Sequence, residues 1–210
     1  NWKGLRDDPF FMYYTPGAVH APIQVPEEWR DKYKGQFDDG WHAYRAQLLE
    51  RQKKMGLIPE DSQMVDWPES LPEWDSFSEE AKEYLARQME VNAAFLEHVD
   101  HHVGRVIDHL EALGELDNTL IMIHTDNGAA SSVFAPVNPD MNGYENIGNR
   151  DSYTSIDAEW AIAADTPFTH QKGSKYEGGW HSAAILHYPK WKRQKEQKSI
   201  WSPQLRISPL

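Results

Sequence analysis

No cysteine occurs anywhere in these 210 residues, which excludes disulfides, thiolate metal sites and a cysteine nucleophile within the chain. The same absence leaves the compartment open. No apolar run approaches the length of a membrane span, and the start, NWKGLRDDPF, has no apolar centre of the kind a signal peptide carries. Cations are scarce: 21 Lys and Arg face 33 Asp and Glu, for a net charge of −12. That balance argues against a nucleic-acid or anionic-membrane partner, since either wants clustered cations. A small anionic substrate stays compatible, because a metal ion with one or two lysines reverses the field locally. An initiating Met is also missing, and the end, SIWSPQLRISPL, carries no closing element, so the expectation is a piece of a larger protein.

Apolar material is sufficient for a core. Hydrophobic residues make up 40% and aromatics 12%, with nine tryptophans, most of them expected inside. Residues 9–15, PFFMYYT, read as a buried strand running into a Pro- and Gly-punctuated loop that carries His20. Helices are expected over 26–33 and over 39–55, the second closed by Gly56. Residues 57–74 contain three prolines and read as an irregular surface excursion.

A long amphipathic helix is expected over 78–113, capped by Ser76 or Ser78 and ended by Gly114. Leu85, Met89, Leu96, Val99, Val103, Val106 and Leu110 form its apolar stripe, interrupted only at Asn92. Ala94, Phe95 and Ile107 widen that stripe enough to lie on a sheet. His98 and His102 are four apart, a spacing that suits a transition metal. The crowding of His101, Arg105 and His109 beside them also reads as a solvated polar face. Helix, turn and the following strand over 119–125 make the chain α/β.

That strand, TLIMIHT, is apolar enough to be buried on both faces, as in a parallel sheet, and it ends in Asp126-Asn127-Gly128. Ligand sites in open α/β sheets lie beyond the carboxyl ends of strands. A carboxylate and an amide oxygen there suit a hard cation such as Ca²⁺ or Mg²⁺, and Gly128 is free to take a positive φ. The same tripeptide also reads as an ordinary Asn-Gly turn. Residues 129–165 lack periodicity and read as a loop that could wall a pocket. Lys172 beside Gly173, followed by Glu177-Gly178-Gly179, places a cation on a loop whose backbone can approach a ligand, or is simple surface decoration. His20, just past a strand end, is a candidate donor or general acid, or a surface histidine. Residues 183–188, AAILHY, read as another buried strand stopped by Pro189.

Taken in order, PFFMYYTPGAVHAP, HVDHHVGRVIDHLEALGELDNT, TLIMIHTDNG and TPFTHQKGSKYEGGW followed by AAILHYP resemble the sulfatase family of the alkaline-phosphatase-like superfamily. The segment WHAYRAQLLERQKKMGLIPE looks most like the bacterial arylsulfatase branch. The resemblance implies a three-layer α/β/α fold with a mostly parallel central sheet, present here as a partial domain. Residues 1–190 would be its central part and 191–210 a tail where the likeness fades. It further implies hydrolysis of small-molecule or glycan sulfate esters with a formylglycine nucleophile and a bound Ca²⁺, Mg²⁺ being less favoured. Asp126 and Asn127 match two of the four protein metal ligands. His20 matches a histidine that contacts the sulfate or assists the nucleophile, and Lys172 matches the lysine on the sulfate and leaving oxygen.

Departures from the pattern are equally specific. The family's nucleophile lies in a Cys- or Ser-x-Pro-x-Arg motif, and this chain has none; Ser202-Pro203-Gln204-Leu205-Arg206 has the wrong spacing and the wrong place. The paired aspartates that complete the metal site are missing too, since Asp7-Asp8 precedes the His20 strand and is out of order. The expectation is therefore a central piece that is inactive by itself. Two alternatives accompany it: a phosphonate monoester hydrolase or phosphodiesterase of the same superfamily, and a degenerate, non-catalytic binding protein. Relatives with two metals generally carry Asp-His where this chain has Asp126-Asn127, which favours a single hard cation.

Overall fold

The computed structural model describes residues 8–132 and 143–190. Asp7, the middle of the expected pocket wall and the 191–210 tail, including the Ser202–Arg206 run, lie outside the described residues. Five helices and two strands stand in the order α1 (Glu27–Arg30), α2 (Gly40–Lys54), α3 (Glu79–Ala112), β1 (Ile121–His124), α4 (Ala158–Ala164), α5 (Glu177–Trp180) and β2 (Ala184–His187). The α/β reading holds, and among the described residues no helix is long and apolar enough to cross a membrane.

Helix ends follow local chemistry. The Ser78 hydroxyl accepts from Ala81 N at 3.3 Å and starts α3, as a cap should. Gly56 at φ 70° and Gly114 at φ 74° end α2 and α3 in the left-handed region that only glycine occupies cheaply. α1 is shorter than expected, a single turn that packs on α3.

The core is aromatic. Trp41 of α2 and Trp160 of α4 are fully buried and meet edge to face at 5.8 Å, with Trp74 edge-on to Trp41 at 4.7 Å and Trp67 stacked on it at 5.8 Å. The 57–74 segment is irregular, as expected, but Trp67 and Trp74 tie it into the core, so it is not merely a surface excursion. The buried Arg45 guanidinium lies over the Trp67 ring and donates to Val65 O at 2.6 Å, fastening the same segment. Gly40 makes this packing possible. A Cβ there would come within 2.6 Å of Trp74 Cε2.

α3 is two different helices in one. From Leu85 to Phe95 it is buried nearly all round, and its charged members are paired: Arg87 with Glu90 at 2.9 Å and with Asp31 at 2.5 Å, while Glu90 accepts from Gly35 N at 2.7 Å. Beyond it the expected stripe is not covered. Leu96 is exposed, and Val99, Val103 and Val106 are only half-buried, because α1 and the turn after the helix are its main packing partners rather than a sheet. The histidine face is internally engaged. His98 Nε2 and His102 Nε2 lie 3.0 Å apart, Arg105 donates to His102 Nδ1 at 2.9 Å, and Trp29 packs edge-on against His98. Burial and then the neighbouring imidazoles hold His98 below the usual histidine range. A cation at His102 leaves the metal reading of this pair without support. Among the described residues no group of three or more His, Asp or Glu is placed to hold a metal.

Three expectations are corrected. β1 pairs with β2 antiparallel, Ile121 opposite His187 through His124 opposite Ala184, and it alternates half-buried with exposed residues instead of being buried on both faces. Met122 and Leu186 are exposed, because this two-stranded ribbon is the whole sheet among the described residues. Residues 9–15 form no strand and lie exposed, Phe11 at 89%, for want of a strand to pair with. The 129–165 segment is not simply a loop. It contains α4, whose Trp160, Ala161, Ile162 and Ala163 are buried.

Candidate active site

Asp126, Asn127 and Gly128 follow β1 directly, and two backbone bonds fix where the turn goes. Thr125 N–H donates to Ala183 O at 3.2 Å, and Gly128 N–H donates to Gly179 O at 3.3 Å. The turn therefore lies against the Glu177-Gly178-Gly179 segment. Gly128 is required here by space rather than by a positive φ, which it does not have. A Cβ would sit well inside contact distance of the Gly178 carbonyl and 2.8 Å from Asp165 Oδ2. Gly178 answers the same constraint from the other side, where a Cβ would come within 2.6 Å of Thr169 O.

Lys172 is brought to this turn through its backbone. Its N–H donates to Ala129 O at 2.9 Å, three residues beyond Asp126, and its side chain is exposed. Gln171 Nε2 donates to Ser131 Oγ at 2.7 Å beside it. The loop is stiffened by stacked rings, Phe168 on His181 at 4.2 Å and His170 on Tyr176 at 3.9 Å. Asp126 is exposed and Asn127 half-buried, and among the described residues neither side chain makes a hydrogen bond or ion pair. Two oxygen donors are thus free, on a fixed turn, next to a lysine-bearing loop.

His20 is not joined to this group by any bond among the described residues. Its ring Nδ1 lies 2.8 Å from Ala21 O, its side chain is exposed, and the chain after it is tied elsewhere, Ile23 N to Thr154 O at 2.9 Å.

One residue of the site escaped the sequence reading. Asp165, at the carboxyl end of α4, accepts the Ala129 N–H on both oxygens, at 2.9 and 3.0 Å. Burial pushes its carboxyl up to about 7, and the Ala129 N–H partly offsets that. The Asp-Thr-Pro sequence after an Ala-rich stretch marks a helix end, but nothing in it points 36 residues back to Ala129.

A sulfatase family model matches residues 2–204. The chain belongs to the sulfatase family. Among its sulfatase relatives, an uncharacterized sulfatase of Schizosaccharomyces pombe is 39% identical over 196 residues, covering 88% of this chain and 35% of that protein. An arylsulfatase of Klebsiella aerogenes is 29% identical over 192 residues, covering 88% of this chain and 41% of that protein. The chain thus spans about two fifths or less of the length of these sulfatases.

Proposed function

We propose that this chain is the central part of the catalytic domain of a sulfate ester hydrolase, arylsulfatase-like, with residues 1–190 belonging to that domain. Asp126 and Asn127 would supply two oxygen ligands to one hard cation, Ca²⁺ before Mg²⁺. Their chemistry fits the ion: a carboxylate and an amide carbonyl, both unengaged among the described residues, match calcium's preference for oxygen donors. The cation, when bound, supplies Lewis-acid stabilisation of charge on the sulfate oxygens. The observation that carries this reading is the Lys172 N–H to Ala129 O bond, which holds the lysine loop on the Asp-Asn turn.

The chain's own groups divide the remaining work. Lys172 presents a full positive charge where the ester oxygen gains negative charge as the S–O bond breaks, and a cation already in place costs no reorganisation there. His20 donates a hydrogen bond to the sulfate or assists the nucleophile. The nucleophile itself, a formylglycine made from Cys or Ser, belongs to a segment outside these residues, since no Cys- or Ser-x-Pro-x-Arg motif stands among them. On this reading the 210 residues alone do not turn over, and the antiparallel ribbon with its exposed Met122 and Leu186 joins a larger, mostly parallel sheet in a three-layer domain. The substrate is a small-molecule or glycan sulfate ester. The test is the full-length protein on matched aryl sulfate and aryl phosphate with Ca²⁺. Faster sulfate turnover is expected, and faster phosphate turnover would assign the phosphoesterase alternative instead.

A further inference from the structure

We infer that Asp165 is a positioning residue of the cation site, acting through the backbone of Ala129, whose N–H donates to Asp165 and whose C=O accepts from Lys172. The inference rests on the reading of Asp126 and Asn127 as metal ligands and extends it to the part that holds them in place.

Ala129 N–H is shared by both Asp165 oxygens at 2.9 and 3.0 Å, and Ala129 C=O accepts from Lys172 N–H at 2.9 Å. The backbone of one residue, through the two peptide groups that flank its Cα, thus links the acidic turn, the lysine loop and the end of α4. That helix end is rigid because it is embedded. Trp160 and Ala161 are fully buried, Asp165 N–H donates to Ala161 O at 3.2 Å, and the neighbouring Thr166 hydroxyl donates to Ala163 O at 2.8 Å. Gln52 of α2 donates to Thr166 O at 2.8 Å, so a second helix anchors the same corner. The aromatic core therefore connects to the candidate ligands in a short series: Trp160, α4, Asp165, Ala129, and two residues back, Asn127. Gly128 lets this series close, since any side chain there would strike Asp165 Oδ2 and the Gly178 carbonyl.

A hydrogen-bonded partner behind a metal ligand usually changes metal affinity or activity by about 10–100-fold when removed. Asp165→Ala leaves Ala129 N–H without its acceptor, whereas Asp165→Asn keeps one side-chain oxygen at nearly the same place. Two measurements on the full-length protein decide the matter. In metal-free protein, hydrogen exchange at the Ala129 amide is expected to speed up at least about tenfold in Asp165→Ala and to stay near wild type in Asp165→Asn. In calorimetric titration with CaCl₂, Asp165→Ala is expected to bind about 10–100-fold more weakly, with Asp165→Asn recovering most of that loss. Met89→Ala, a core change on α3 that removes no hydrogen bond of the turn, serves as the control for general destabilisation and is expected to leave calcium affinity unchanged. If Asp126→Ala weakens Ca²⁺ binding and Asp165→Ala does not, or if Met89→Ala weakens it as much as Asp165→Ala, the positioning inference fails alone. If Asp126→Ala leaves Ca²⁺ binding intact, the metal reading fails with it.

Discussion

Gly128→Ala perturbs the crossing on which the candidate site depends, and its cost follows from the backbone geometry. The new methyl would lie 2.9 Å from the Gly178 carbonyl carbon and closer still to its oxygen. Non-bonded carbon prefers about 3.5–4.0 Å, so the two backbones must part by about 1 to 2 Å. The obstruction is main chain on one side and, on the other, a half-buried carboxylate held by the Ala129 N–H, so no flexible side chain can swing aside. Parting breaks the Gly128 N–H to Gly179 O bond, already 3.3 Å long, and strains the flanking Thr125–Ala183 and Lys172–Ala129 bonds. At about 1 kcal/mol per bond, losing one and weakening two costs about 1 to 3 kcal/mol, the range of ordinary overpacking. Urea unfolding measures that loss, and amide exchange at Lys172 localises it. Stability within about 0.5 kcal/mol of wild type, with Lys172 still protected, would refute the claim that these two backbones touch.

Trp41→Ala removes the ring at the centre of the aromatic core and is expected to cost about 3–5 kcal/mol in urea unfolding, whereas Trp180→Ala, on an exposed side chain, should stay within about 0.5 kcal/mol. Asp157 offers a pH test. Burial, then the Glu159 charge, raises its carboxyl from 3.8 to about 6. An acid raised in the folded state is a stability loss that is absent below the unfolded value, grows as pH rises between about 4 and 6, and is complete above. The limit for a shift of this size is about 3 kcal/mol. Asp157→Asn should therefore stabilise the protein at pH 8 and change little at pH 3.5. Equal effects at both values would contradict the burial argument.

Signals that act within a few residues were legible. Ser78 before Glu79-Glu80 and the glycines at 56 and 114 set the helix limits to within a residue or two, because caps are local chemistry. The end of β1 was placed for the same reason. Its pairing direction and one-sided exposure were not, since both depend on β2, about sixty residues later. α4 was hidden because its seven residues follow a polar, Asn- and Ser-rich stretch, and only burial of Trp160 and its alanines makes it helical. Gly128 was noticed for the wrong reason: the sequence suggests conformational freedom, and the structure requires absence of a side chain. Asp165 was missed altogether, because its partner is a backbone amide that only the folded chain brings near. Of the four residues matched to the family's site, Asp126, Asn127 and Lys172 meet at one crossing, while His20 has no bond to them.

On the proposed reading, the Asp126-Asn127 turn holds a hard cation. Calorimetric titration of CaCl₂ into metal-free full-length protein, beside Asp126→Ala, tests it most directly. Asp126 is exposed and has no partner among the described residues, so its removal should leave the metal-free unfolding curve unchanged while calcium affinity falls at least about 100-fold, one charged ligand being lost. Equal affinity in the two proteins would contradict the claim.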